Sequence, residues 1–152
     1  MEKYLTRVPA FQKWQEAMPQ TNDSQGFQFF TARVDQMICF ADVFWPEFVE
    51  QDGLILRKSN VPDDWNDYVA KAQKANWSAS DYEYIINHLH IMDLFINDPD
   101  RDNIGVEVFV FLAQTIAEMW KCKLKALFPT RTFVVGVANP EVEPEVFAYS
   151  ER

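Results

Sequence analysis

The sequence predicts an α+β domain that is mainly α-helical, with four to five helices packed around a long central helix and a small antiparallel C-terminal sheet. Apolar residues recur at helical spacing through most of the chain before Pro129. β-Branched residues dominate the segment from Thr132 to Val137, which favours a strand. The 152 residues, 48% of them hydrophobic, are enough for one core, so we expect a single domain over residues 1–152.

The N-terminal third predicts two helices. The first runs from Pro9 to Met18, because proline suits the first helical turn. The second is long and begins at Asp23 or Ser24, either of which can cap it. Its apolar residues alternate steps of three and four, which predicts one buried seam and a central place in the core. The seam comprises Phe27, Phe30, Val34, Met37, Ala41, Phe44 and Phe48.

The middle of the chain predicts a turn, a short strand and two more helices. Asp52-Gly53 is typical of a turn, and residues 54–57 form a candidate strand that would join the C-terminal sheet. A third helix begins near Pro62. Ser80 and Glu83 have the spacing of a capping box, so we expect a fourth helix from residue 80 to Asn97.

The last third predicts a long helix followed by two strands. The fifth helix runs from Asn103 to Leu127, and Pro129 ends it. Residues 106–113 are apolar nearly all round, so we expect the first half of this helix to be buried on several sides. Strands are predicted at residues 132–137 and 146–149.

The composition indicates a cytoplasmic protein. The formal net charge of −9 disfavours binding to nucleic acid or to anionic membranes, and it favours a basic partner or simply solubility. No signal-peptide pattern opens the chain, and no apolar run is long enough to span a bilayer. We therefore expect a reducing compartment in which both cysteines, Cys39 and Cys122, are free thiols.

The sequence contains no recognisable catalytic or metal-binding motif. His88 and His90, two residues apart on the predicted fourth helix, would point about 200° apart and could not share a metal ion. The series Asp98, Asp100 and Asp102 resembles the start of an EF-hand loop. The required glycine and bidentate glutamate are missing further on, so this motif is excluded. We predict no cofactor and no bound metal.

Two acidic segments are candidate partner-binding sites. In the first, Asp63, Asp64 and Asp67 flank Trp65 and Tyr68, so that carboxylates would steer a basic partner and rings would anchor it. The alternative for this segment is a solvated helix face with the tryptophan turned inward. The second segment is the loop that carries the three aspartates Asp98, Asp100 and Asp102.

Two further stretches carry a resemblance to known proteins. They are residues 45–56, which read WPEFVEQDGLIL, and the pattern of Trp120, Lys123, Leu124, Phe128-Pro129, Arg131 and 133–135. Together they resemble small bacterial helical proteins that act as immunity proteins beside polymorphic or contact-dependent toxins. This resemblance implies a non-enzymatic inhibitor that covers a basic toxin surface.

The sequence is also compatible with two alternatives to an immunity-type inhibitor. One is a small metal-dependent enzyme that uses His88 or His90 with nearby carboxylates. The other is a homodimeric structural protein, in which an exposed part of the aromatic seam forms the interface.

Overall fold

A computed structural model describes residues 1–20 and 23–152. The helices are α1 (Glu2–Leu5), α2 (Pro9–Ala17), α3 (Ser24–Thr31), α4 (Val34–Phe44), α5 (Trp65–Lys74), α6 (Ala79–Ile86) and α7 (Val106–Leu127). The strands are β1 (Phe48–Gln51), β2 (Leu54–Arg57), β3 (Leu89–His90), β4 (Phe133–Ala138) and β5 (Glu145–Ser150). The predicted fold class, mainly α with a small antiparallel sheet, is confirmed.

Helix α7 is the long central helix of the fold. One side of it is buried along its whole length, from Val108 to Leu124, and packs against β4 and β5. Trp120 is fully buried in the C-terminal half of this face, and its indole Nε1 donates to the carbonyl of Val43 at 2.8 Å. That bond satisfies the polar end of a large core ring and fixes α7 against the end of α4.

The predicted long helix from residue 23 is wrong in two respects. The chain is extended at Ala32 and Arg33, so α3 and α4 are separate helices. The seam is also not buried as a whole, because α4 turns Phe40, Val43 and Phe44 toward the core and leaves most of the other seam residues in water. An apolar stripe predicts burial only where something covers it, and nothing among the described residues covers this one.

The C-terminal sheet has the antiparallel order β3-β5-β4. Strands β4 and β5 confirm the two predicted strands and pair over their whole length, from Phe133 opposite Ser150 to Ala138 opposite Glu145. Strand β3 was not predicted, since its two residues lie within the expected fourth helix. That helix ends at Ile86 and is followed by β3 and by a 3₁₀ turn over Met92–Phe95.

The predicted capping box lies two residues too late in the chain. Helix α6 is capped by Ser78, whose hydroxyl accepts from the Asp81 N–H while Asp81 accepts from the Ser78 N–H at 2.7 Å. Glu83, expected to close the box, is instead completely buried. The third helix also begins later than expected, at Trp65 and not near Pro62.

Strands β1 and β2 form a separate hairpin. Asp52 and Gly53 have φ values of 51° and 80°, so the predicted turn is a two-residue hairpin loop of the kind that needs two positive φ angles. β2 does not pair with the C-terminal sheet, contrary to our expectation. The hairpin and helices α5 and α6 instead enclose a second, smaller apolar cluster of Leu54, Leu56, Trp65, Ala72, Tyr82 and Ile86.

Candidate functional site

The first acidic segment lies around the start of α5, and only its carboxylates face water. Asp63, Asp64 and Asp67 are exposed. Trp65 is 9% exposed, stacks on Tyr68 with 5.8 Å between ring centroids, and donates from Nε1 to Asp52 at 2.6 Å. The ring that was expected to anchor a partner therefore belongs to the second apolar cluster, as the alternative had it.

Tyr68 lies partly within the same cluster. Its ring is surrounded by Trp65, Trp77 and Tyr82, with centroid separations of 5.8–6.2 Å. Its hydroxyl is buried and has no hydrogen-bond partner among the described residues. Burial, together with the nearby Tyr82, raises the pKa of Tyr68 above its ordinary value.

The second acidic segment is partly neutralised by its own neighbours. The Asp98 carboxylate accepts from the Asp100 N–H at 2.9 Å, and Lys13 Nζ of α2 lies 3.2 Å from Asp100. Asp102 pairs with the adjacent Arg101 at 3.1 Å. The loop thus ties α2 to the chain that precedes α7, and it offers less free negative charge than three aspartates suggest.

A groove of about 770 Å³ joins this loop to α4. Asp98 and Asp100 form one wall, while Asp35, Cys39 and Phe40 of α4 form the other. The groove has an apolar floor, and carboxylates lie on both of its walls. The guanidinium of Arg33 beside Asp35 lowers the pKa of that carboxyl, which stays ionised at neutral pH.

Next to this groove, α3 and α4 expose an unusual amount of apolar side chain. We call the exposed residues the α3–α4 apolar face: Phe29 (78% exposed), Phe30 (65%), Val34 (79%), Met37 (60%) and Ile38 (68%). Val34, Met37 and Ile38 share one side of α4 at spacings of three and four. Most of the α3–α4 apolar face belongs to the seam that we expected to be buried, and only the homodimer alternative placed an interface on an exposed part of that seam.

A pattern in the sequence could have identified this face. Helix α4 is apolar around more than half of its circumference, because Val34, Met37 and Ile38 widen the stripe of Phe40, Val43 and Phe44 that packs on the core. A helix at the protein surface needs one apolar stripe for its core contact. A stripe much wider than this contact needs is typical of a helix that has two partners.

The two histidines do not lie on a helix: His88 directly precedes the two-residue strand β3, and His90 is the second residue of that strand. Their rings are edge to face with centroids 5.0 Å apart, and His88 Nδ1 lies 2.5 Å from the carbonyl of Ile85. His90 Nδ1 is 3.5 Å from Glu143 and 3.8 Å from Glu145. In the described part of the chain, no three His, Cys, Asp or Glu side chains are grouped so that they could hold a metal ion together.

Comparison with known proteins yields no relative. No protein-family model, curated protein or solved structure matches the chain. Among the described helices, none combines the length and the apolar character that crossing a membrane requires.

Proposed function

We propose that this chain is a non-enzymatic protein-binding protein whose α3–α4 apolar face anchors a partner. The observation that carries the proposal is the exposure of five large apolar side chains on two consecutive helices. Burying a side chain of this size contributes about 1.5–3 kcal/mol. Isolated apolar residues are common on protein surfaces, but Val34, Met37 and Ile38 are neighbours at helical spacing on α4, and such groups mark interaction sites.

The charge around this face favours a basic partner. Asp98 lines the groove beside it together with Asp35 and Asp100, which are paired with Arg33 and Lys13, so the attraction comes mainly from the formal charge of −9 on the chain as a whole. Such a field attracts a cationic surface and accelerates its association, while buried apolar contacts slow dissociation. The apolar face and the groove together therefore fit a protein with an apolar patch bordered by lysine or arginine.

This division of roles suits an immunity-type inhibitor in the cytoplasm, which must bind a toxin quickly and hold it. The resemblance of residues 45–56 and 120–135 to such proteins supports the same proposal. Asp63, Asp64 and Asp67 add a second carboxylate surface that contributes to steering, without the aromatic anchor that the sequence suggested.

The test is binding to the protein encoded by the adjacent gene, measured by calorimetry with purified full-length chains. Met37→Lys places a charge in the centre of the apolar face, and we expect affinity to fall about 30-fold or more, as at a binding hot spot. Gln114→Lys, at an exposed position of α7, adds the same charge elsewhere and is expected to bind like the wild type.

Two results would contradict the proposal. Equal affinity of Met37→Lys and wild type would remove the α3–α4 apolar face as the anchor. Absence of any complex with the wild-type chain would remove the immunity-type role. Ionic strength gives a further check, because a complex steered by opposite charges associates more slowly as salt increases.

A further inference from the structure

Strand β4 has an open edge. The order β3-β5-β4 places β5 in the middle of the sheet, so one side of β4 has no neighbouring strand among the described residues. The strand reads Phe-Val-Val-Gly-Val-Ala, with no charged residue and no proline. Natural sheets usually protect an edge with charges, proline or a bulge, and an unprotected edge is a template for another extended chain.

The hydrogen bonds of β5 show which residues of β4 face the open edge. In an antiparallel strand, the main-chain groups of successive residues point to alternate sides. The Ala148 carbonyl accepts from Asn87 at 3.1 Å and the Ser150 N–H donates to Glu83, so these two residues of β5 point away from β4. Residues 145, 147 and 149 therefore bond to β4.

It follows that three residues of β4 direct both their N–H and their C=O outward: Phe133, Val135 and Val137. The bond from the Glu151 N–H to the Thr132 carbonyl, at 2.9 Å, gives the same alternation from the other end of the pair. The side chains of the three outward-bonding residues pack toward the core, against α7. The open edge thus consists of main chain on a rigid support.

We propose that β4 pairs with β4 of a second copy of this chain, antiparallel and about a two-fold axis at Val135. Val135 then faces Val135 of the second copy, and Phe133 faces Val137 of the second copy. Each facing pair exchanges two hydrogen bonds. This register satisfies every outward N–H and C=O of both strands, and it joins the two three-stranded sheets into one continuous sheet.

Charge at the strand ends favours a second copy over an unrelated strand, and antiparallel over parallel pairing. Arg131 precedes β4 by two residues, where it also pairs with Glu50 of its own chain, and Glu141 follows β4 by three residues. Antiparallel pairing brings the basic end of each strand toward the acidic end of the other. Parallel pairing would set like charges side by side.

The dimer and the complex with a basic partner proposed above should depend on salt in opposite ways. Two copies that each carry a formal charge of −9 repel each other at long range, and salt screens this repulsion, with a Debye length of about 8 Å at physiological ionic strength. We therefore expect the dimer to strengthen as salt increases, whereas a complex with a basic partner weakens. The two proposals do not depend on each other.

The test is sedimentation velocity on the full chain, from micromolar to submillimolar protein, at low and high salt. Wild type is expected to shift from monomer to dimer as protein and salt increase. Val135→Pro removes an N–H that the monomer does not use, a change that edge strands tolerate, and it is expected to stay monomeric. Met37→Lys, which alters the α3–α4 apolar face, is expected to dimerise like the wild type.

Amide hydrogen exchange of the wild type provides a second measurement that needs no variant. The amides of Phe133, Val135 and Val137 are expected to become protected as protein concentration rises, while their neighbours in β4 are protected throughout. A wild type that remains monomeric at every concentration and salt would overturn the proposal. So would a dimer in which these three amides exchange as fast as in the monomer.

Discussion

Glu83 and Asn87 lie one helical turn apart at the end of α6, and each bonds to main chain of both β2 and β5. The Glu83 carboxylate accepts from the Ile55 N–H at 2.8 Å and from the N–H and hydroxyl of Ser150. Asn87 accepts from the Arg57 N–H at 2.6 Å and donates to the carbonyls of Ile55 and Ala148. These two side chains thus form hydrogen bonds with the main-chain edges of β2 and β5, as a strand lying between the two would.

Removing Asn87 should lower stability strongly. Asn87→Ala leaves the buried main-chain groups that it bonds without partners, and each such group costs about 1–3 kcal/mol. We expect the free energy of unfolding in urea to fall by at least about 2 kcal/mol. Asn66→Ala, at an exposed position of α5, is the matched control and should stay within about 0.5 kcal/mol of wild type. Similar losses for both variants would contradict this role.

The capping box of α6 should make stability depend on pH at the acidic end. The hydroxyl and the N–H of Ser78 hold the pKa of Asp81 below its ordinary value of 3.8. A depressed folded-state pKa contributes stability that is present above the unfolded value and is lost as pH falls through the folded one. We expect the stability difference between wild type and Asp81→Asn to be full at neutral pH and to shrink below about pH 4. Urea unfolding at several pH values measures it, and a pH-independent difference would contradict it.

Because of Tyr68, we expect the stability of the fold to decrease at alkaline pH. The pKa of Tyr68 in the folded state is raised above the ordinary value of 10.0. The stability that the neutral phenol contributes is therefore complete below pH 10.0 and is lost as pH rises through the folded-state pKa. Tyr68→Phe removes this loss. Because the hydroxyl is buried without a partner among the described residues, the variant should match or exceed wild type at neutral pH, by up to about 1 kcal/mol.

Tyr149→Phe is the control for Tyr68→Phe, because the Tyr149 ring packs against Tyr84 and Phe147 and not within the second apolar cluster. Thermal unfolding across neutral and alkaline pH compares the two variants. A clear destabilisation by Tyr68→Phe at neutral pH would mean that the hydroxyl has a partner in solution.

Trp65 and its neighbouring aspartates should affect different properties: Trp65 the stability of the fold, and the aspartates the rate of association with a partner. Trp65→Ala removes a buried ring and should cost about 3–5 kcal/mol of stability. Changing Asp63, Asp64 and Asp67 together to Asn should cost much less, since all three are exposed and a carboxylate at the start of a helix such as α5 contributes about 0.3–1 kcal/mol. We expect that triple variant to slow association with a basic partner, with little change in dissociation. Stopped-flow association at two ionic strengths measures the effect, and an unchanged association rate would exclude steering by this segment.

The parts of the fold that could be predicted from the sequence are those determined by local chemistry. The extent of α7 follows from its apolar run and Pro129, β4 from its β-branched residues, and the hairpin loop from Asp52-Gly53. Each of these is a property of a few neighbouring residues. The structure therefore agrees with the prediction at these places.

The misplaced elements depend on distant contacts. Residues 85–96 have helical periodicity, yet Leu89 and His90 pair with Val146 and Glu145, which the local pattern does not encode. Glu83 has the right spacing for a capping box, but its carboxyl is used by strands far away in sequence. Tertiary hydrogen bonds outweigh local preference in both cases.

The candidate site was predictable in its charge and not in its apolar part. The exposed aspartates around α5 and in the loop before α7 are visible in the composition. The seam of α3 and α4 was recognised as apolar and periodic, but periodicity states only that residues share a side of a helix. Which part of an apolar stripe is covered depends on packing, and here the core covers Phe40 and Phe44 but not Met37 and Ile38.

The bonds made by Glu83 and Asn87 also determine how local motion should appear in exchange experiments. The amide protons of Ile55, Arg57 and Ser150 are held by side chains of one helix and not by a neighbouring strand. They should therefore exchange at one common rate, the rate at which α6 detaches. This rate should differ from that of the strand amides beside them, which bond to a neighbouring strand. Three protons in two sheets would then report the opening of a single helix.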